Sequence, residues 1–413
     1  MSFRRLLAAG AASLVGDGVR IAALPLFTAV STGSPLAVSA VATAELLPWL
    51  LIALPAGALV DRWPPRRVVI TAHVVRVVAT GVLTAAVAAQ VATVPVLIAV
   101  AFVVTSGETF ADSAYQTLLV ELAGRDELDR ANSRYVTAET LGLDLGGPLL
   151  ATAMFAWQPA ACFGVDAASF VVAAVLVARL PRVRPASQRA RSVPDAALRD
   201  PARPDALPAD ASLVRQILDG GRFLVRQRGL RTLVLAVMAA ALAVAAANAV
   251  VSLYAIQVLA IRAALVPTLW IAQAIGTLVA ARLVARLVAW RGEGPVMVGA
   301  LVVLGGGFLA VAAAPVMAAA WAAYAVIGFG AGTWNVLSAT RRQRLTPAGL
   351  MGRVTSAYRI LAWGLMPLGA ALAGPLAATT SLATVFAAAG GLVLLVAVVL
   401  GRPLTRDATP NSR

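Results

Sequence analysis

Apolar and polar residues fall along this chain in blocks. Runs of mainly apolar residues are separated by short polar connections. About 20 such residues make a helix that crosses roughly 30 Å of hydrocarbon. Twelve runs fit: 6–30, 36–60, 68–90, 94–119, 135–156, 159–180, 232–259, 266–290, 295–314, 316–337, 358–378 and 382–400. The break at 261–265 is the least marked. The first run is too long for a signal peptide and carries Asp17 and Arg20, so it is expected to be a span. The pattern predicts an all-α integral membrane protein of twelve transmembrane helices.

Composition agrees. Of 413 residues, 60% are hydrophobic and 13% charged, against about 25% charged in a soluble domain. A water-soluble enzyme is excluded. The net charge of +15 comes from 34 basic residues, all arginine. They cluster in alternate connections: Arg62, Arg66 and Arg67; Arg125, Arg130 and Arg134; the segment after Leu180; Arg286 and Arg291; Arg341, Arg342 and Arg344; Arg402 and Arg406. The other connections lack arginine, except for Arg262. Positive charge stays on the cytoplasmic side, so both termini are expected there, in a bacterial inner membrane. The basic balance is thus a topological signal, and no nucleic-acid partner is expected.

The sequence divides into an N-terminal six-helix half (1–180), a cytoplasmic linker rich in Pro, Arg and Asp (181–211), a cationic amphipathic segment (212–230), a C-terminal six-helix half (231–401) and a tail (402–413). The linker composition reads as disordered. Shifting 103–149 onto 326–372 without a gap matches ten of 47 positions, among them Gly107 with Gly330, Tyr135 with Tyr358 and Gly146 with Gly369. The halves therefore read as parallel copies, which puts the substrate site between them near mid-membrane.

The connection after the second run carries Gly57, Asp61, Arg62, Arg66 and Arg67. It resembles the loop signature of the major facilitator superfamily. Gly57 is expected to allow close helix approach, Asp61 to face a helix N-terminus and Arg62 to pair with an acid. The resemblance implies that this loop stabilises the outward-facing state. Run five holds Gly142, Asp144, Gly146, Gly147 and Pro148, and run eleven holds Gly369, Gly374 and Pro375. These resemble the glycine–proline motif of the antiporter branch, where Gly permits contact and Pro removes a helix hydrogen bond. Gly16-Asp17-Gly18, Leu47-Pro48-Trp49, residues 128–132, Gly352-Arg353-Val354 and Met366-Pro367-Leu368-Gly369 extend the likeness. They resemble the type 3 drug:H+ antiporters, which include macrolide-efflux and enterobactin-exporter-like permeases.

Seven acids fall inside the runs, all in the first half: Asp17, Glu45, Glu108, Asp112, Glu139, Asp144 and Asp166. An acid at a helix centre costs roughly 2.5–3.5 kcal/mol, so most must face a cavity or a partner. Arg20, Arg76 and His73 are the available partners. Arg20 shares a face with Asp17, and Asp112 shares one with Glu108. Asp17, Glu45, Glu108 and Asp112 are the candidate proton carriers, with Arg20 and Arg76 as charge partners. Permanent buried pairs that set helix register are the alternative. Glu139 is expected to be structural, Asp166 to lie toward the outer boundary in contact with water, and His73 to be a packed residue. The second copy places Asn335 opposite Asp112 and lacks the acids. Trp334, Asn335 and Trp363 are candidates for the substrate wall.

Cys162 and His73 are each alone, and no phosphate loop, nucleophile elbow or HExxH occurs. No disulfide, metal, cofactor or enzymatic chemistry is expected. The reading is a monomeric secondary transporter exporting amphipathic small molecules by proton antiport with alternating access. Two alternatives stay open: a proton symporter or uniporter for a metabolite, and a transporter-fold receptor or lipid-handling protein without coupled transport.

Overall fold

The computed structural model describes residues 2–60, 62–123, 128–181, 213–313, 316–347 and 350–406. Residues 182–211 of the expected linker lie outside them, as do Asp61, Arg125 and residues 407–413 of the tail. All regular structure among the described residues is helical. Nine helices there are long and apolar enough to cross a membrane.

The helices are α1 (Ser2–Thr32), α2 (Pro35–Leu51), α3 (Ala53–Val60), α4 (Pro65–Ala88), α5 (Val94–Ala123), α6 (Leu128–Glu139), α7 (Gly147–Trp157), α8 (Pro159–Ala178), α9 (Leu213–Arg226), α10 (Arg228–Gln257), α11 (Thr268–Arg291), α12 (Glu293–Ala313), α13 (Met317–Leu345), α14 (Met351–Gly364), α15 (Met366–Thr379) and α16 (Leu382–Arg406). Proline opens α2, α4 and α8, where its missing N–H costs no hydrogen bond.

Four predicted spans differ in detail, the eleventh being divided at Leu365 into α14 and α15. The second is broken into α2 and α3 at Ile52. Pro48 leaves the Ala44 carbonyl and Pro55 the Leu51 carbonyl without a helical donor, the second directly before that break. The fifth is divided into α6, a π-helical segment Thr140–Gly146 and α7. Pro148 cannot donate to the carbonyl of residue 144, and the chain widens so that the Gly147 N–H bonds the Gly142 carbonyl. The tenth, α13, runs on to Leu345.

The chain forms two compact units. The first holds Met1–Asp200 with Ile261–Ile271. In it α1 packs on α8 and on the π segment, and α4 packs on α5 and α8. Leu6, Val69, Leu118 and Val177 form its core with Ala9, Ala114 and Ala173. The alanines let the helices approach without a hydrophobic driving force, which lipid does not supply. Val74, Val78 and Val82 of α4 and Val171 and Val175 of α8 are exposed, which suits hydrocarbon as solvent.

In the second unit α12 packs on α13 and α16, and α10 packs on α15 and α16. Helix α9 lies on α14, where a Cβ on Gly220 would press on the Arg353 backbone. Tyr254 donates to the Val311 carbonyl at 2.6 Å, and its ring centroid stands 4.7 Å from that of Phe386. Tyr254→Phe is expected to cost about 0.6–1.7 kcal/mol, as for other hydrogen bonds within membranes. A denaturant titration in detergent reads the shift.

Candidate functional site

Helix α1 places Asp17 and Arg20 on one face, three residues apart. Both are buried, as is Arg76 of α4. A guanidinium offers five donors in a planar fork, and Arg20 uses it to face four carboxylates from four helices. Its Nη1 donates to Glu45 Oε1 of α2 at 2.8 Å. Its Nη2 donates to Asp17 Oδ1 at 3.3 Å and to Glu108 Oε2 of α5 at 3.2 Å. Its Nε stands 3.6 Å from Asp166 Oδ2 of α8. Arg76 Nη2 also pairs with Asp17, and lies 3.6 Å from Glu108. Ser13 joins the two sides, donating to Asp17 at 3.2 Å and accepting from Arg76 at 3.4 Å.

The cluster therefore holds four carboxylates on two guanidiniums. With every group ionised, two negative charges are in excess. Buried ions cost several kcal/mol each unless paired and hydrogen-bonded. Here the arginines supply most of that compensation. Phe170 lies beneath Arg76, with the guanidinium carbon 3.9 Å from the ring centroid, a cation–π contact.

Small residues make the geometry possible. A Cβ on Gly107 would stand 2.7 Å from Arg76 Cγ, so only glycine lets α5 pass the arginine stem. On α1, a Cβ on Gly18 would stand 2.6 Å from the Gly142 carbonyl oxygen and 3.0 Å from the Gly147 Cα. The glycines that flank Asp17 thus bring α1 against α8 on one side and against the π segment and α7 on the other.

Asp166 corrects the sequence expectation. It is completely buried and belongs to the cluster. Counting residues along α8 put it near the membrane boundary, but the length of the Arg20 side chain brings it in. Asp112 stands apart, in no ion pair with a described residue. The side chain of Asp144 lies outside the described ones. Glu139 is exposed at the end of α6. His73 is buried, its ring stacked on Phe170 at 5.8 Å with Nε2 3.4 Å from the Tyr115 hydroxyl.

In the loop after α3, Asp61 lies outside the described residues. Gly57 faces open space, with nothing within 4 Å of an added Cβ. Among the described residues no neighbouring helix makes the expected close approach there. Arg66 donates to the carbonyls of Val177, at 3.2 Å, and Ala178 at the end of α8, where Val177 also accepts the Leu180 N–H at 3.0 Å. Arg62 and Arg67 are exposed. Pro148 and Gly147 are buried in α7, and a Cβ on Gly146 would stand 2.7 Å from the Leu141 carbonyl oxygen.

In the second unit, Gly369 meets the Leu242 backbone, Gly374 is buried and Pro375 lies within α15. Trp334 is buried, while Asn335 and Trp363 are exposed. Arg359 lies 4.6 Å from the Trp363 ring centroid. Among the described residues, no group of three or more His, Cys, Asp and Glu side chains could hold a metal ion.

Comparison with known proteins agrees with this architecture. The chain is 29% identical to the multidrug efflux pump Tap of Mycolicibacterium fortuitum over 93% of this chain and 91% of that protein. It is 26% identical to the uncharacterized MFS-type transporter y4rN of Sinorhizobium fredii, over 99% and 96%. Among solved structures, the nucleoside transporter NupG aligns with a TM-score of 0.76 at 14% identity, covering 98% of this chain and 99% of that one. A bacterial homologue of the iron transporter ferroportin in its inward-facing state aligns with a TM-score of 0.70 at 18% identity, covering 97% and 98%. The family model of the Major Facilitator Superfamily matches residues 6–370. A helical membrane chain matched over that length belongs to the major facilitator superfamily and is a membrane transporter.

Proposed function

We propose that this transporter exports amphipathic small molecules across the bacterial inner membrane in exchange for protons, by alternating access and as a monomer with both termini in the cytoplasm. The observation that carries the reading is the charge balance of the buried cluster. Its two excess negative charges call for two positive ones in a medium that does not tolerate uncompensated charge. Two protons supply them in one state, and a cationic solute with one proton supplies them in another. Exchange follows, because the arriving solute displaces a proton. Similarity to a multidrug efflux pump supports export and an amphipathic cargo.

Within this reading Asp17, Glu45, Glu108 and Asp166 share the protons, and Arg20 and Arg76 hold them in place. Asp112, one turn from Glu108 on the same face of α5, passes protons toward the cytoplasm. The loop with Gly57, Asp61, Arg62, Arg66 and Arg67 stabilises the outward-facing state. The glycine–proline segments Gly142–Pro148 and Gly369–Pro375 are the flexing points, and Trp334, Asn335 and Trp363 contribute to the substrate wall. Residues 181–211 link the two halves, and α9 lies on the inner leaflet.

Everted vesicles test the mechanism with ethidium as the probe cation. Adding ethidium to acid-loaded vesicles is expected to release protons while the dye accumulates inside. Glu45→Gln combined with Glu108→Gln, which leaves no negative charge in excess, is expected to lose both dye binding and proton release. If dye moves without any change in the pH gradient, the antiport reading fails. If Glu45→Gln/Glu108→Gln and Glu45→Gln/Asp166→Asn, each removing both excess charges, keep full coupling, the cluster is not the proton site.

A further inference from the structure

A cavity lies in the first unit, on the side of α5 away from Glu108. It is a groove of about 660 Å³ between α4 and α5. Val75, Phe102, Val103 and Phe110 make most of its walls. Val75 and Val103 are also exposed, so the groove opens to the surface that faces hydrocarbon. Its polar side chains stand at one end and on both walls, with Thr71 on α4 and Ser106 on α5. Trp63 and Arg67 stand at the end, both exposed. Ser106 lies along the wall, its hydroxyl already donating to the Phe102 carbonyl at 2.6 Å.

Depth fits one leaflet. From Arg67 to Val75 is eight residues of α4, about 12 Å at 1.5 Å per residue. Half the hydrocarbon core is roughly 15 Å. Tryptophan and arginine together at one end are the residues expected at a membrane interface. Arg66 and Arg67 are adjacent but serve different ends. Arg66 closes the carbonyls of α8, whereas Arg67 makes no ion pair with a described residue and points its charge to the groove mouth.

We propose that this groove binds an anionic phospholipid, with one acyl chain between α4 and α5 and the headgroup phosphate on Arg67. The apolar walls match a chain, and the guanidinium matches a phosphate bidentately. With the orientation inferred from arginine placement, the lipid belongs to the cytoplasmic leaflet, where anionic headgroups attract basic residues. The chain would lie against Gly107, the residue that admits the Arg76 stem. The lipid thereby braces the turn of α5 that carries Glu108. The site rests on that orientation and not on proton coupling.

Native mass spectrometry of the delipidated full-length protein tests the site, with phosphatidylglycerol and phosphatidylcholine as probes. Phosphatidylglycerol is expected to be retained about fivefold better, the factor one arginine contributes toward an anionic lipid. Arg67→Gln is expected to remove that preference and Arg67→Lys to keep most of it. Val75→Trp is expected to fill the groove and reduce retention of both lipids. Equal retention of the two lipids overturns the proposal, as does a preference that Arg67→Gln leaves unchanged. Release of the lipid by inorganic phosphate, or by a non-lipid apolar molecule that co-purifies in its place, also overturns it. If Val75→Trp does not fold, the two Arg67 variants decide alone. Transport is not read, so this result stands apart from the antiport test.

Discussion

Arg20→Ala is expected to abolish transport and to destabilise the protein by about 3–5 kcal/mol, the cost of removing one partner from a buried ion pair. The argument is geometric. Among the described residues, Arg20 alone faces Asp17, Glu45, Glu108 and Asp166 together. Without it Arg76 remains near Asp17 and Glu108 only. Glu45 and Asp166 then keep their burial and lose their described cation. Arg20→Lys is expected to fall between, since one compact ammonium cannot point in four directions as a planar fork does. Adding Glu45→Gln to Arg20→Ala is expected to restore part of the stability, because it removes a charge left without a partner. Thermal melts of the detergent-solubilised variants, read as a double-mutant cycle, measure the coupling. If Arg20→Ala melts with the wild type, the cluster does not hold these helices together.

Gly18→Leu is expected to have the next largest effect, without altering any charge. A Cβ at residue 18 already meets the backbone of Gly142 and Gly147, and backbone has no rotamer to retreat into. Overpacking of this kind costs about 1–3 kcal/mol when neighbours can adjust, and more where two helix backbones must separate. Moving α1 away from the π segment would also displace Asp17 and Arg20. Transport should therefore fall with stability. Gly81→Leu is the control, since no described residue lies within 4 Å of a Cβ there, and it is expected to be near neutral. Equal melting of the two variants would show that the α1 contact is not needed.

The two expectations differ in how far they were legible. Acids and arginines inside apolar runs are visible at once, because hydrocarbon makes every such residue expensive. The pairing of Arg20 with Asp17 follows from helical spacing alone. The pairing of Arg20 with Glu45, Glu108 and Asp166 does not, since it joins residues 25, 88 and 146 positions away. Asp166 shows the difference most clearly. Its depth was estimated from its own helix, and its partner comes from another. Gly57 shows the reverse error. The loop motif implies a close approach at that position, and no described residue makes one.

The sequence by itself determined that this is a helical membrane protein and located its apolar stretches, because the bilayer imposes one solvent and one length on every span. It also determined the class of chemistry, since the acids and arginines inside the apolar runs have only a lone His73 and a lone Cys162 beside them, too few for a nucleophile or metal set. Only the tertiary structure decided which charges meet. It gathered four acids on two arginines, left Asp112 to one side, and put a lipid-sized groove behind Gly107. The physical reason is range. Hydropathy and helical periodicity act within about one turn of the chain, whereas a buried charge is satisfied by whatever the packing of other helices brings within reach.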